Sequence, residues 1–454
     1  MIGLGRDALL APLRSALRDA AADEVELWAH RRRAAITRYS HSSIHQNALS
    51  DETHVHARAV VGRAVGVASA NGLDPESLRR LVADAASLAR LQPPNDEWPG
   101  VAEPAEPAAA HACDEATARL DAGEQAAAID LIAREAVRRG LRVAGTHQLE
   151  LHEDAVVNSR GVGVYAPSTL AYVRALAQSD VGSGYADDLA FRIGELDPLS
   201  VAMSAADKCE RDRERTQLEP GEYEAVFEED AVAEILRVVS ITGLGGQAVR
   251  EGRSFMSGRL GERVTGERFT LHDDGLDPRQ LGIPFDIEGT PKRRVALVEA
   301  GIARSPVYDR TSAKAAGTIS TGHAADRSRY PTGGHAGNLV MAGGTATRDD
   351  LIASVRRGIL ITRFHYTNMP DPKSATMTGT TRDGTFLIEN GRITRALANV
   401  RYTMSSLELF AGIDLLGPQR LVRDWWSTNG MGSVVCLAPA MKVSRAVITG
   451  SSPA

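Results

Sequence analysis

The sequence predicts an α+β protein: N-terminal strand and helix layers followed by a large, mainly antiparallel β C-terminal domain. Two observations carry this. Strand-like runs interleave with amphipathic helices as far as about residue 217, and from Leu218 onward short β-like runs rich in Gly and Thr take over, with turn signals between them. The length, 454 residues, is too great for one core. The expected division is an N-terminal α/β domain at 1–91, a Pro-rich linker at 92–113, a central α/β domain at 114–217 and a mainly β domain at 218–454.

In order along the chain, Leu9, Leu10, Leu13 and Leu17 fall at helical spacing. "DEVELWAH" puts Val25, Leu27 and Ala29 on one side of a strand, and "RAAITRYS" and "THVHARAVVGRAVGVAS" read as further strands. "DPESLRRLVADAASLARL" is a helix with Asp74 as N-cap, Pro75 at its first position and Leu78, Leu81, Val82, Ala85 and Leu88 as its apolar stripe. Five prolines in Gln92–Ala110 mark the linker. A long helix is expected from Asp114 to Arg139, ending at Gly140, then strands about the turn "NSRG" at Asn158–Gly161, then a helix from Asp197-Pro198 to about Arg215. "GLDPESL" and "ELDPLSV" both open a helix after a set of strands. Either the cap-plus-proline signal recurs, or two related strand–strand–helix units are present. In the last half, "YEAVFEE" reads as a strand running into a helix near Asp230, and "IENGRI" as a hairpin turning at Asn390-Gly391.

Apolar residues make up 43% and charged residues 24%, as in an ordinary globular protein, and the formal net charge is −6. That balance argues against a general nucleic-acid-binding surface. Cys113, Cys209 and Cys436 are far apart and form no C-x-x-C, which argues against a ribbon-type zinc site and fits a reducing compartment. Arg6, Asp7, Arg14 and Arg18 interrupt the first apolar stretch, and no run of 18 apolar residues occurs, so neither a signal peptide nor a membrane span is expected. A cytoplasmic protein is the default.

Chemistry-bearing motifs are sparse. There is no G-x-x-x-x-G-K-[ST] and no G-x-S-x-G, and "GLGGQ" at 243–247 follows a helix rather than opening one. His54 and His56 alternate on a strand and face the same way, as a metal pair or as a solvated polar face. "LHED" at 151–154 lacks the second histidine of a metalloprotease helix. His323 and His335 lie in glycine-rich loops, and His365 where a strand ends. They are site candidates or loop histidines bonded to backbone.

With "FDIEGTPKRRVALVEAGI" (285–302), "STGHA" (320–324), "GGHAGNLVMAGG" (333–344), "GILITRFHYTNMPDPKSATMTGTTRDGTFLIENGRI" (358–393) and "GSVVCLAPAMKVSRAVITG" (432–450), the sequence resembles the TldD/PmbA family, in which PmbA is also called TldE. "TRYSHSSIHQ", "VVGRAVGVAS", "NSRGVGVYA" and "SGYA" extend the resemblance over nearly the whole chain. It implies peptide hydrolysis. The TldD kind carries H-E-x-x-x-H after a central strand, plus a distal Cys, to hold zinc, with the Glu as general base. The TldE kind lacks this set and pairs with TldD as a second subunit, in a complex thought to bind peptides as extended strands.

Alignment by eye puts the metal-binding positions near Arg237, Val238 and Thr242, and no His lies between His152 and His272. The distal Cys position falls near Met431-Gly432, with Cys436 close by in an apolar run. The resemblance therefore implies a metal-free, TldE-type partner of a zinc-bearing TldD-like subunit, acting on unfolded or ribosomally made peptides. His323, His335, Arg363, His365, Tyr366, Asn368, Thr378 and Gly379 are the candidates for its substrate groove or interface. The alternatives are a stand-alone hydrolase built on the histidine loops, and a protein-binding regulator, for example of DNA gyrase or a toxin–antitoxin pair, as older family names suggest.

Overall fold

The computed structural model describes residues 3–18, 20–326, 331–423 and 434–451. Six strands form the first sheet: β1 (Glu24–Ser40), β2 (Ser43–Val61), β3 (Ala64–Asn71), β4 (Arg142–Asn158), β5 (Gly163–Gln178) and β6 (Ser183–Ala190). Their order is β3-β2-β1-β4-β5-β6, all antiparallel, so the strands before and after the Pro-rich stretch share one sheet through β1 and β4. The helices are α1 (Arg6–Leu17), α2 (Pro75–Arg90), α3 (Glu115–Ala118), α4 (Ala122–Arg138) and α5 (Pro198–Arg211).

This sheet is built twice from one plan. A helix, three meandering strands and a second helix follow one another as α1-β1-β2-β3-α2 and again as α4-β4-β5-β6-α5. Asp74 caps α2 by accepting from Ser77 N at 2.9 Å, and Asp197 caps α5 by accepting from Ser200 N at 2.9 Å. Each has proline in its first turn. Gly66 in β3 and Gly184 in β6 let those helices come close: a Cβ would lie 2.1 Å from Ala85 O and 2.2 Å from Ala205 O. Of the two readings of the repeated cap signal, the paired-unit reading describes this architecture.

Two elements differ from the sequence expectation. "DEVELWAH" and "RAAITRYS" are one continuous strand, β1. The charged run between them, Arg31-Arg32-Arg33, does not break it, because Arg31 pairs with Asp51 and Glu153, and Arg32 with Glu150. The long helix expected from Asp114 is interrupted at Leu120, whose φ of 57° lies in the left-handed region, and Asp121 then caps α4 afresh.

Strand alternation gives the sheet two unlike faces. Val25, Leu27, Ala29, Val55 and Ala57 pack on α1 and α2, and Val173, Ala175 and Ala186 face α4 and α5. The opposite face carries Trp28, His30, His152 and Asp154, and meets the second half of the chain through Trp28, Val156, Val164, Ile283 and Phe285. Past the end of β3, residues 43–52 of β2 pair, among the described residues, with β1 alone and are largely exposed.

The second half holds β7 (Gly221–Phe227), β8 (Leu271–Asp273), β9 (Val295–Glu299), β10 (Ile302–Ala303), β11 (Asn338–Met341), β12 (Arg357–Asp371), β13 (Thr376–Glu389), β14 (Arg392–Ala396), β15 (Val400–Ser405), β16 (Ile413–Arg423) and β17 (Val435–Ser451). Most neighbours are antiparallel; β11–β17 and β12–β7 are parallel. The pairings β7–β12–β13–β15–β17–β7 close on themselves. Asn390 and Gly391 turn β13 into β14 with φ of 51° and 75°, the geometry of a type I′ hairpin. α6 (Glu229–Gly243) follows β7 and is apolar on nearly every side, as a helix enclosed in a core must be. Among the described residues, no helix is long and apolar enough to cross a membrane.

Candidate functional site

The strand–helix unit β7–α6 is where the resemblance places a metal. α6 packs against β12, β16 and β17, and its Ala231, Ile235 and Leu236 are wholly buried. Val238 is 1% exposed. The Thr242 hydroxyl donates to Val238 O at 2.6 Å and lies 3.0 Å from Met369 Sδ. Glu234 accepts from Thr367 N, and the Thr367 hydroxyl lies 2.6 Å from that of Tyr402. Burial, then the nearby Glu234 charge, push the Tyr402 phenol well above its ordinary value. Zinc needs thiolate, imidazole or carboxylate donors. The guanidinium of Arg237, the side chain of Val238 and a committed hydroxyl do not fit it. Met431-Gly432 lies outside the described residues, and Cys436 is fully buried in β17 between Leu339 and Val422. Among the described residues, no group of three or more His, Cys, Asp and Glu side chains is placed to hold a metal ion.

The predicted site residues fall in two places. His323 and His335 lie side by side, with His335 N donating to His323 O at 2.9 Å. The His323 side chain is fully enclosed, with Nε2 2.8 Å from Asp273 Oδ1 and Nδ1 2.9 Å from both Thr321 oxygens. Both nitrogens are thus engaged. Burial alone would raise the Asp273 pKa, but the His323 charge and hydrogen bond bring it below the usual value.

The other six lie on β12 and β13. Arg363 pairs with Asp383 and stacks 4.4 Å over the Tyr185 ring of the first sheet. His365 Nε2 lies 2.8 Å from Arg382 Nη1, and burial, then Arg382 and Arg363, lower its pKa. Tyr366 is 59% exposed with φ of 54°, and Asn368 donates to its carbonyl. The Thr378 hydroxyl donates to Tyr402 O at 3.0 Å, and a Cβ at Gly379 would lie 2.5 Å from the Tyr402 hydroxyl.

A hollow of about 120 Å³ separates the two sheets, lined by His323 and His335 on one side and by Trp28, His30, His152 and Asp154 on the other. The second group comes from facing positions of β1 and β4, where His30 pairs with Asp154 and Arg32 with His152. His30 Nδ1 lies 2.8 Å from Asp154 Oδ1. Burial opposes protonation of that imidazole, but Asp154 outweighs it and raises the pKa. His152 Nε2 lies 2.7 Å from Glu150 Oε2. Burial would raise the Glu150 pKa, yet His152 and Arg32 hold it down to about 2. The two imidazoles stack with centroids 5.3 Å apart. Sequence reasoning weighed "LHED" only as half of a helical zinc motif. Its alternation on a strand was the available signal.

Comparison with known proteins agrees with this architecture. Residues 220–450 match the model of the PmbA/TldA metallopeptidase C-terminal domain, and residues 25–89 that of PmbA/TldA metallopeptidase domain 1. A metalloprotease TldD homolog of Buchnera aphidicola subsp. Acyrthosiphon pisum is 32% identical over 46% of this chain and 44% of its own length. One of Haemophilus influenzae is 30% identical over 38% of this chain and 36% of its own length. The matched region thus spans less than half of either relative. The crystal structure of TldE from Thermococcus kodakarensis superposes with a TM-score of 0.84 at 20% identity, covering 98% of this chain and 99% of that one. At that identity the likeness is one of fold.

Proposed function

Because the chain belongs to the PmbA/TldA metallopeptidase family, we propose that it is the metal-free subunit of a heterodimeric peptidase. Its partner would be a TldD-like chain bearing H-E-x-x-x-H and the zinc. The observation that supports this reading is the make-up of α6, where Arg237, Val238 and Thr242 lie near the positions expected to serve the metal. Zinc held by the partner would supply activated water there. This chain would help enclose the substrate, an unfolded or ribosomally made peptide, with Arg363, His365, Tyr366, Asn368, Thr378 and Gly379 as candidates for groove or interface. A cytoplasmic setting fits its three widely spaced cysteines.

The test is reconstitution. The purified chain should carry no stoichiometric metal by mass spectrometry and cleave no unfolded peptide alone. An equimolar H-E-x-x-x-H chain should co-elute with it, and the pair should cleave. Peptide cleavage by the isolated chain in excess chelator would overturn the proposal.

A further inference from the structure

The hollow between the sheets contains polar groups that enclosing a partner's chemistry does not require. His152 is 7% exposed; its Nε2 carries the proton to Glu150, so the enclosed Nδ1, without a hydrogen-bond partner among the described residues, is an acceptor in the neutral ring. Trp28 Nε1, which can only donate, is also enclosed without a hydrogen-bond partner among the described residues. Lys292 Nζ donates to Asn338 Oδ1 at 2.9 Å, and no carboxylate pairs with it among the described residues. Ser168 faces His152 across the β4–β5 pairing. These four residues line one cavity.

Two acids on the same walls are already satisfied. Asp154 is taken by His30. Asp286 accepts main-chain N–H groups from Glu288, Thr290 and Ala324 at 2.8–3.0 Å. The remaining acid, Asp326, also lines an adjoining hollow of about 330 Å³, where its charge acts on His56. The Trp28 N–H beside the Lys292 ammonium therefore favours an anion with hydrogen-bond acceptors, because an enclosed donor without an acceptor is costly, while His152 Nδ1 can accept from an N–H of the same ligand.

The adjoining hollow shares Trp28 and Ile287 with the first and continues over Val65, Val67 and Trp98. Its floor is aromatic: Trp28 stacks on His56 with centroids 4.8 Å apart. A cavity holding Lys292 and the Trp28 N–H and a trough walled by Trp28, Val65, Val67 and Trp98 thus meet at one tryptophan, which matches a carboxylate with a large side chain beside it.

We propose that this cleft binds the free C-terminal end of a peptide, its carboxylate toward Lys292 and the Trp28 N–H and an aromatic or large aliphatic last side chain in the Trp28–Trp98 trough. The proposal builds on the peptide-handling role above but concerns binding by this chain alone.

Calorimetric titration of the metal-free, isolated full chain with N-acetyl-Ala-Ala-Phe, its C-terminal amide and N-acetyl-Ala-Ala-Gly tests it. The free acid should bind about tenfold or more tightly than the amide, the scale of one charge-assisted hydrogen bond. Lys292→Gln, which keeps a donor for Asn338, should abolish that preference with an unchanged melting temperature. Val67→Asp, at an exposed position of β3, should remove the preference for Phe over Gly. Equal binding of acid and amide, survival of the preference in Lys292→Gln, or no binding overturns the subsite. If the acid binds preferentially but no sibling is activated, the subsite stands and the subunit reading falls. Activation of a sibling without that preference gives the reverse.

Discussion

Glu26 lies at the seam between the sheets, 4% exposed, with Oε1 3.0 Å from Arg58 and Oε2 without a hydrogen-bond partner among the described residues. Burial raises its pKa to about 7, Glu288 adding to the rise and Arg58 opposing it. A carboxyl raised in the folded state holds its proton there when the unfolded chain has released it. Stability should therefore fall as the pH rises from about 4.5 through about 7, by on the order of 3 kcal/mol. Glu26→Gln should remove this component, so denaturant titrations at pH 5 and pH 8 should show the variant gaining on the parent at the higher pH. This residue was silent in the sequence because its partners, Arg58 and Glu288, come from distant segments. The same holds for His30 and Asp154, which are 124 positions apart yet directly opposite in the β1–β4 register. His323 and His335 were legible because glycines flank them. What each ring touches was not.

At the scale of elements, the two edge strands carry the same device. Gly66 and Gly184 each sit where a methyl group would overlap the backbone of the helix above. Gly66→Ala and Gly184→Ala should each cost about 1–3 kcal/mol by overpacking. The double variant should show roughly the sum, since the sites lie on opposite edges of the sheet. Equilibrium urea unfolding measures both. Element types were largely readable from periodicity, caps and turns: Asp74-Pro75, Asp197-Pro198 and Asn390-Gly391 each act as their local chemistry dictates. Continuity was less readable. Three arginines in β1 resemble a break until their carboxylates are in place, and the apolar spacing across Leu120 hides a backbone reversal.

Over the whole molecule, a few enclosed ions join the two halves. Arg420 on β16 reaches Asp187 on β6 at 3.1 Å and Asp230 on α6 at 2.9 Å. Arg58 links Glu26 to Glu288. Arg420→Met should cost roughly 2–4 kcal/mol, short of the full loss for an enclosed pair because Tyr172 and Tyr185 still donate to Asp187. Scanning calorimetry should then show the single transition of the parent separating into two as the halves uncouple. One feature works in the opposite sense. Where β2 runs on past β3, the sheet keeps, among the described residues, an open row of main-chain donors and acceptors, the kind of border on which an extended chain can grow. Glu52 lies along it, so two copies meeting edge to edge with Glu52 opposite Glu52 would bring like charges together. The molecule thus leaves a strand-sized opening in its own hydrogen-bond ladder while discouraging its own copies from filling it.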